Sequence, residues 1–450
     1  MLNIIKQKIQ SLTSDSRFSE ILTGSVWALS ARVVSTALGL VTSIIIARFY
    51  GAEVMGIVAV ISSFLTLITI FTVLGTDVSI LRLIPEHLTK YSPTSAFRVY
   101  RKTQYIVAGL SLVVSVLLFL GSGFIAGTIF SKPHLTFYFA LASLFILFQS
   151  IASLNTQAVR GLRLVRVFAF MQFLPSFSNF LLLIFLTFFF FHPDNPVYVL
   201  FTSFTITALA GSFIMDRKFR SKIKTGDTLH PMPVKDILTI SFPMFMTATT
   251  TFIIGQTGVI MLGMYRPEAD VGYYAIAVKL STLTAFVLQA VFSMAGPRFS
   301  ELYHSNQMDE LFYVAQKSAK LIFWTTAPIL FVLILLGKPI IALLYGSDFT
   351  IAYWAMVILT LGQFANSISG ATGLFMNMTG NQNIFKNIVF VAALINLGLN
   401  FLLTPTYGLY GAATAGMISL MSWNIATLYY IKIKFGRTIG YFPLLTKQRA

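Results

Sequence analysis

The sequence predicts an all-α polytopic membrane protein with twelve transmembrane helices in two pseudo-symmetric six-helix lobes. Three observations point there: an apolar composition, an alternating placement of basic residues, and an internal repeat. The chain has 450 residues, 56% hydrophobic and only 10% charged, with a mean hydropathy of +0.79. A soluble domain carries about 25% charged residues, so most of this surface must face lipid.

About 20 apolar residues cross the ~30 Å hydrocarbon core of a bilayer. Runs of that order fall at 21–47, 54–75, 104–130, 135–159, 167–191, 197–215, 237–263, 272–296, 318–337, 352–378, 384–404 and 409–431. The ninth begins among Lys317 and Lys320 and contains Pro328; its lysines can snorkel to the interface. Lys6, Lys8 and Arg17 precede a first run too long for a secretory signal, so that run is expected to stay as a span.

Charge placement orients the spans. Of 32 Lys and Arg, 26 lie in the N-terminal segment, the even-numbered junctions and the tail. Four (Arg48, Lys132, Arg266 and Lys338) lie in odd junctions, and two are inside spans. Positive residues mark the cytoplasmic side, so both termini are expected in the cytoplasm of a multi-pass cytoplasmic-membrane protein. The resulting plan is a cytoplasmic segment 1–20, an N-lobe 21–215, a basic linker 216–236, a C-lobe 237–431 and a cytoplasmic tail 432–450. The linker's basic residues suit anionic headgroups. A net charge of +17 spread over short loops in this way points to lipid, not nucleic acid.

The two halves match at an offset near 216 residues. Glu20-Ile-Leu-Thr-Gly-Ser25 aligns with Asp236-Ile-Leu-Thr-Ile-Ser241, Gly39 with Gly255, Gly56 with Gly272 and Gly121 with Gly337; Asn179 and Asn396 follow one position out of step. An even number of spans per copy makes the copies parallel, about an axis along the membrane normal.

Arg32 and Lys279 are the two basic residues inside spans, and no carboxylate occupies a span interior. A charge at the bilayer centre costs ~2.5–3.5 kcal/mol on the lenient insertion scale, so an anion is expected to arrive with the substrate. Helical spacing puts Arg32 on one face with Ser25, Ser35, Thr36, Gly39 and Ser43, about 16 Å along the helix from Ile21. Lys279 shares a stripe with Thr282, Gln289 and Ser293. Their repeat mates are Ala248 and Ser63, so duplication copied neither charge. The alternative is structural: Arg32 bonding backbone carbonyls, Lys279 snorkelling to an interface.

Gln256 and Gln289 join the two cations as substrate-binding candidates, with Gln149, Gln157, Gln172 and Gln363 as further amides for a sugar path. Arg48, Asp77 and Arg82 sit at span ends as mouth or gate candidates, or as interfacial anchors. Asn396 and Asn400, one turn apart, and Asn424 on the next helix form a candidate ion site beside the threonines of 247–251. Cysteine is absent, the five histidines have no metal spacing, and no catalytic acids or large outer loop suit an enzyme. No cofactor or metal is expected.

Ile44-Ile-Ile-Ala-Arg48-Phe-Tyr-Gly51 through Gly56, Gly75-Thr-Asp77 with Leu81-Arg-Leu-Ile-Pro-Glu86, and Pro405-Thr-Tyr-Gly408-Leu-Tyr-Gly411-Ala-Ala together carry a resemblance. The chain resembles the polysaccharide-export and lipid-linked-oligosaccharide flippases, O-antigen flippases among them, of the multidrug/oligosaccharidyl-lipid/polysaccharide superfamily. The resemblance implies a MATE-like fold with a cationic central cavity. It also implies a role moving polyprenyl-(pyro)phosphate-linked oligosaccharide, on an undecaprenyl or dolichyl carrier, to the outer leaflet for cell-surface polysaccharide. Its implied partners are that anionic glycan lipid, membrane lipids and polysaccharide-assembly proteins. Drug-exporting relatives usually carry an acidic residue in a lobe for cation coupling; here Asp77 is the nearest equivalent. A cation-coupled multidrug or metabolite antiporter is therefore the alternative.

Overall fold

A computed structural model describes residues 16–221, 223 and 230–441, and all of their side chains except those of 16–26 and 293. The N-terminal segment as far as 15, most of the linker's centre and the tail beyond 441 lie outside the described residues. Nearly everything described is helix, as lipid demands: each backbone N–H and C=O must find its partner within the segment.

Ten helical stretches among the described residues are long and apolar enough to cross a membrane. Two are far too long for one crossing. Ser16–Val73 has 58 residues, ~87 Å at 1.5 Å per residue, and Gln382–Phe435 has 54. Each is broken at a glycine with positive φ: Gly51 (φ 83°, ψ −178°) and Gly408 (φ 55°, ψ −132°). The first lies in a backbone region essentially reserved for glycine, which explains its place in the motif ending at Gly51.

Other helices follow the apolar runs but start earlier or bend within them. Pro93–Phe124 continues into a π-turn at Ile125–Ile129. The run at 272–296 divides into Glu268–Ser281, a 3-10 turn Thr282–Thr284 and Ala285–His304. The run at 352–378 breaks at Gly370 (φ 70°) between Ala352–Ser369 and Thr372–Met378. An amphipathic helix Thr76–Lys90 adds an element that lies outside the predicted spans.

The chain groups into two compact units. The first contains the described residues within Met1–Thr42, Ile68–Phe119 and Leu141–Phe245. Its core packs Ile80, Leu83 and Ile84 against Tyr100, Val159, Phe219 and Ile237. Gly75 (φ 74°) starts the Thr76–Lys90 helix where a Cβ would lie 2.4 Å from the Ser241 carbonyl oxygen. Ser79 and Ser241 share a 2.7 Å hydrogen bond beside it. Leu112, Val116 and Phe119, about one turn apart, stay exposed as a lipid-facing stripe.

The second unit contains Ser43–Leu67, Leu120–Ala140 and the described residues within Met246–Ala450, so two pieces of the N-terminal half pack with the C-terminal half. One core gathers Phe299, Leu302, Leu311, Phe375 and Ile431. The chain after the last helix returns to this unit. Tyr441 donates its N–H to the Ile368 carbonyl at 2.9 Å, just before the Gly370 break, and Trp324 donates to the Tyr441 hydroxyl at 3.2 Å.

Candidate functional site

Arg32 belongs to the first unit. The helix carries it into an apolar run, and its side chain is exposed. Among the described residues it joins none of the ion pairs, which involve other basic groups. One turn on, Ser35 Oγ donates to the Ala31 carbonyl at 2.7 Å and lies 3.3 Å from that of Gln172. The Arg32 face therefore packs beside the Val165–Phe189 helix at Gln172.

A polar seam also runs through this unit between the end of the first long helix and Thr136–Gly161. Thr72 and Ser150 hydroxyls are 2.7 Å apart, and Ser153 donates to Asp77 at 3.1 Å. The Thr69 hydroxyl oxygen and the amide oxygens of Gln149, Gln157 and Gln172 are buried without a hydrogen-bond donor among the described residues. Such oxygens cost free energy unless water or a ligand donates to them. Asp77 opens the Thr76–Lys90 helix and also accepts from the Val78 N–H at 2.9 Å. Burial nevertheless pushes its carboxyl above the ordinary value, outweighing those hydrogen bonds.

Arg82 projects from that helix, 65% exposed, 3.6 Å from Glu86. Glu86 is held below its ordinary pKa chiefly by a hydrogen bond from Lys90. Arg82 thus sits in an exposed i,i+4 pair, the kind worth little to stability.

Lys279 belongs to the second unit, half-buried in the last turn of Glu268–Ser281. The 3-10 turn begins three residues later, and Thr282 bonds back to the Val278 carbonyl at 2.8 Å. Gln289 is half-buried on the helix beyond that turn. The Gln256 amide oxygen accepts from Ser63 Oγ at 2.9 Å. Ser63 is the repeat mate of Lys279, so the two positions carry different polar groups.

Arg48 lies at the end of the first span. Its guanidinium donates to the carbonyls of Leu344, at 2.9 Å, and Leu343. These are orphan acceptors at the C-terminus of Met308–Tyr345, where a cation also meets the negative end of the helix dipole. The asparagines fall into two groups. Asn400 donates to the Asn396 side-chain oxygen at 3.1 Å and accepts from Thr404 at 3.1 Å. Asn424 donates to Asn366 at 3.2 Å and is 3.4 Å from the Thr372 hydroxyl, beside the Gly370 break. Protein donors occupy oxygens in both groups.

Ser153 and the Lys132, His134 and Glu268 side chains escaped the sequence reading. Ser153 was legible in principle, one turn along from Gln149 and Gln157. The other three sit in junctions, where charge is ordinary and only tertiary contact gives it meaning.

Comparisons with known proteins give a family and a fold. The family described as "Polysaccharide biosynthesis protein" matches residues 21–303, more than half of the chain. A probable low-salt glycan biosynthesis flippase, Agl15, of Haloferax volcanii is 24% identical over 181 residues. That match takes in 39% of this chain and 38% of the relative, so the chain spans well under half the length of that curated protein. Among solved structures, the lipid II flippase MurJ in an inward closed conformation covers 91% of this chain and 87% of its own, with 19% identity and a TM-score of 0.68. An inward-facing MATE-family multidrug transporter covers 91% of this chain and 98% of its own, with 16% identity and a TM-score of 0.70. At such identities the structural likeness speaks to fold alone.

Proposed function

This chain belongs to the polysaccharide biosynthesis protein family, and on that premise we propose that it flips a polyprenyl-(pyro)phosphate-linked oligosaccharide across the cytoplasmic membrane. The spans number twelve on this reading, with the helices broken at Gly51 and Gly408 each counted as two, and both termini are cytoplasmic.

The supporting observation is the pair of intramembrane cations without an intramembrane carboxylate. A glycan pyrophosphate cannot shed its water into hydrocarbon at tolerable cost. Arg32, exposed and outside every ion pair among the described residues, offers a planar fork suited to two phosphate oxygens. Lys279 supplies a second positive point, and Gln256 and Gln289 hydrogen-bond the sugars. The polyprenyl tail stays in lipid while two six-helix lobes alternate access to a cationic central cavity. A coupling ion on this reading has to displace protein donors from Asn396, Asn400 and Asn424, whose oxygens lie in two groups.

The test is export in cells. Arg32→Gln with Lys279→Gln, in protein accumulating at the normal level, should cut surface glycan at least about tenfold; the loss of two charge-assisted contacts warrants that size. Undiminished surface glycan would refute the assignment. The alternative, a cation-coupled drug or metabolite antiporter, draws on one observation: the part-buried Asp77–Ser153 hydrogen bond, with the carboxyl pKa raised by desolvation. It requires proton-dependent efflux that Asp77→Asn abolishes.

A further inference from the structure

The second unit contains a contact that repeats itself at the offset of 216 residues. A Cβ on Gly56 would lie 1.8 Å from the Glu268 carbonyl oxygen, and one on Gly272 would lie 2.2 Å from the Ala52 carbonyl oxygen. Residues 52 and 268, like 56 and 272, are separated by the repeat offset of 216. Equivalent helices therefore cross at equivalent glycines, each touching the other's partner, as a two-fold relation requires. Only the absence of side chains lets the backbones come this close.

The polar groups around the crossing are not symmetric. Lys132 lies 3.3 Å from the Glu268 carboxylate and donates to the Arg266 carbonyl at 2.6 Å. His134 Nε2 is 2.8 Å from the same carboxylate. The Lys132 and Glu268 side chains are only 12% and 14% exposed. Their repeat mates are Asp348 and Ala52, and that of His134 is Thr350. Duplication thus explains the glycine crossing and leaves the charged pin unexplained. Beneath it, Val60 is buried, within reach of Gly263, where a Cβ would meet its Cγ2 at 2.8 Å. Arg48, four residues before Ala52, caps the helix ending at Tyr345.

We propose that the Gly56–Gly272 crossing is a closed gate on the side away from the cytoplasm, and that Lys132 and His134 pin it shut through Glu268. The assignment of sides rests on the orientation in the proposed function; the pin itself does not. Gates need contacts that are strong when made and cheap to lose together. A nearly buried ion pair at a close backbone crossing meets that need, because losing one partner strands the other charge while separation of the whole cluster rehydrates all of it.

Cysteine is absent from the chain, so a single Val60→Cys reports opening without background. In right-side-out membranes a membrane-impermeant maleimide should label Val60→Cys slowly. Adding Glu268→Gln or Lys132→Gln should speed labelling at least about tenfold, as a minor open state gains population. Exchanging the charges, Lys132→Glu with Glu268→Lys, should slow labelling again relative to either single-charge variant, though not fully, since the Arg266 carbonyl and His134 lose their partners; that variant guards against mere misfolding. Rates within about twofold of Val60→Cys for both single-charge variants would overturn the pin. Acceleration seen only in inside-out membranes would overturn the outward assignment and the orientation with it. No cargo enters this measurement, so a failure to flip glycan lipid would leave its outcome readable.

Discussion

At the scale of residues, the informative groups are those whose surroundings contradict their chemistry. Gly56 is one. The atom nearest to an added Cβ is a backbone carbonyl that cannot rotate away, so Gly56→Ala should cost ~1–3 kcal/mol as overpacking does. A lowered thermal midpoint of the purified protein checks this, and an unchanged one would mean that the crossing is not close. Asp77 is another. Its folded-state pKa lies above the ordinary value because burial disfavours the ionised form. The protonated group's contribution to stability is complete below the ordinary carboxylate pKa and disappears as pH rises through the raised one. Asp77→Asn keeps an acceptor for Ser153 and removes the buried charge. It should raise the thermal midpoint at about pH 8 and change it little at about pH 4; the opposite ordering would contradict the assignment of burial as the cause.

Elements show what was legible in the chain and why. Apolar length found the long apolar helices because lipid enforces one simple rule on composition. Breaks were harder. Gly51 and Gly408 sit at the junctions between runs, so their turns were expected, and the structure adds the positive φ that makes glycine necessary there. The breaks at Thr282–Thr284 and Gly370 lie inside apolar runs, where hydropathy cannot see them. The helix Thr76–Lys90 was hidden for the opposite reason: its charges made it read as a loop, although Ile80, Leu83, Ile84 and His87 form a buried face at helical spacing. The polar candidates were legible as residue types. Their partners were not, since Ser63 with Gln256 and Asn366 with Asn424 are pairs far apart in sequence. Gly51→Ala tests the element reading. Holding alanine in that conformation should cost about 1–3 kcal/mol, seen as a lower thermal midpoint, whereas Gly39→Ala, with nothing within 4 Å of the new Cβ, should cost nothing. Equal effects would remove the case for a glycine-specific break.

For the whole molecule, the repeat and the charges make separate contributions. Residues 52 and 56 meet 272 and 268 reciprocally, at the same offset of 216 that relates the two halves of the sequence. Function on this account resides in what the copies do not share: Arg32, Lys279 and the Lys132–Glu268–His134 cluster. The central claim is electrostatic, that positive groups inside a lipid-facing shell receive an anionic head. Flipping by purified protein in liposomes, with two cargos of equal glycan and tail but pyrophosphate or neutral linkage, tests it most directly. The account predicts rapid movement of the pyrophosphate-linked lipid alone, lost in Arg32→Gln with Lys279→Gln. Equal rates for both cargos, or an unaffected double variant, would contradict it.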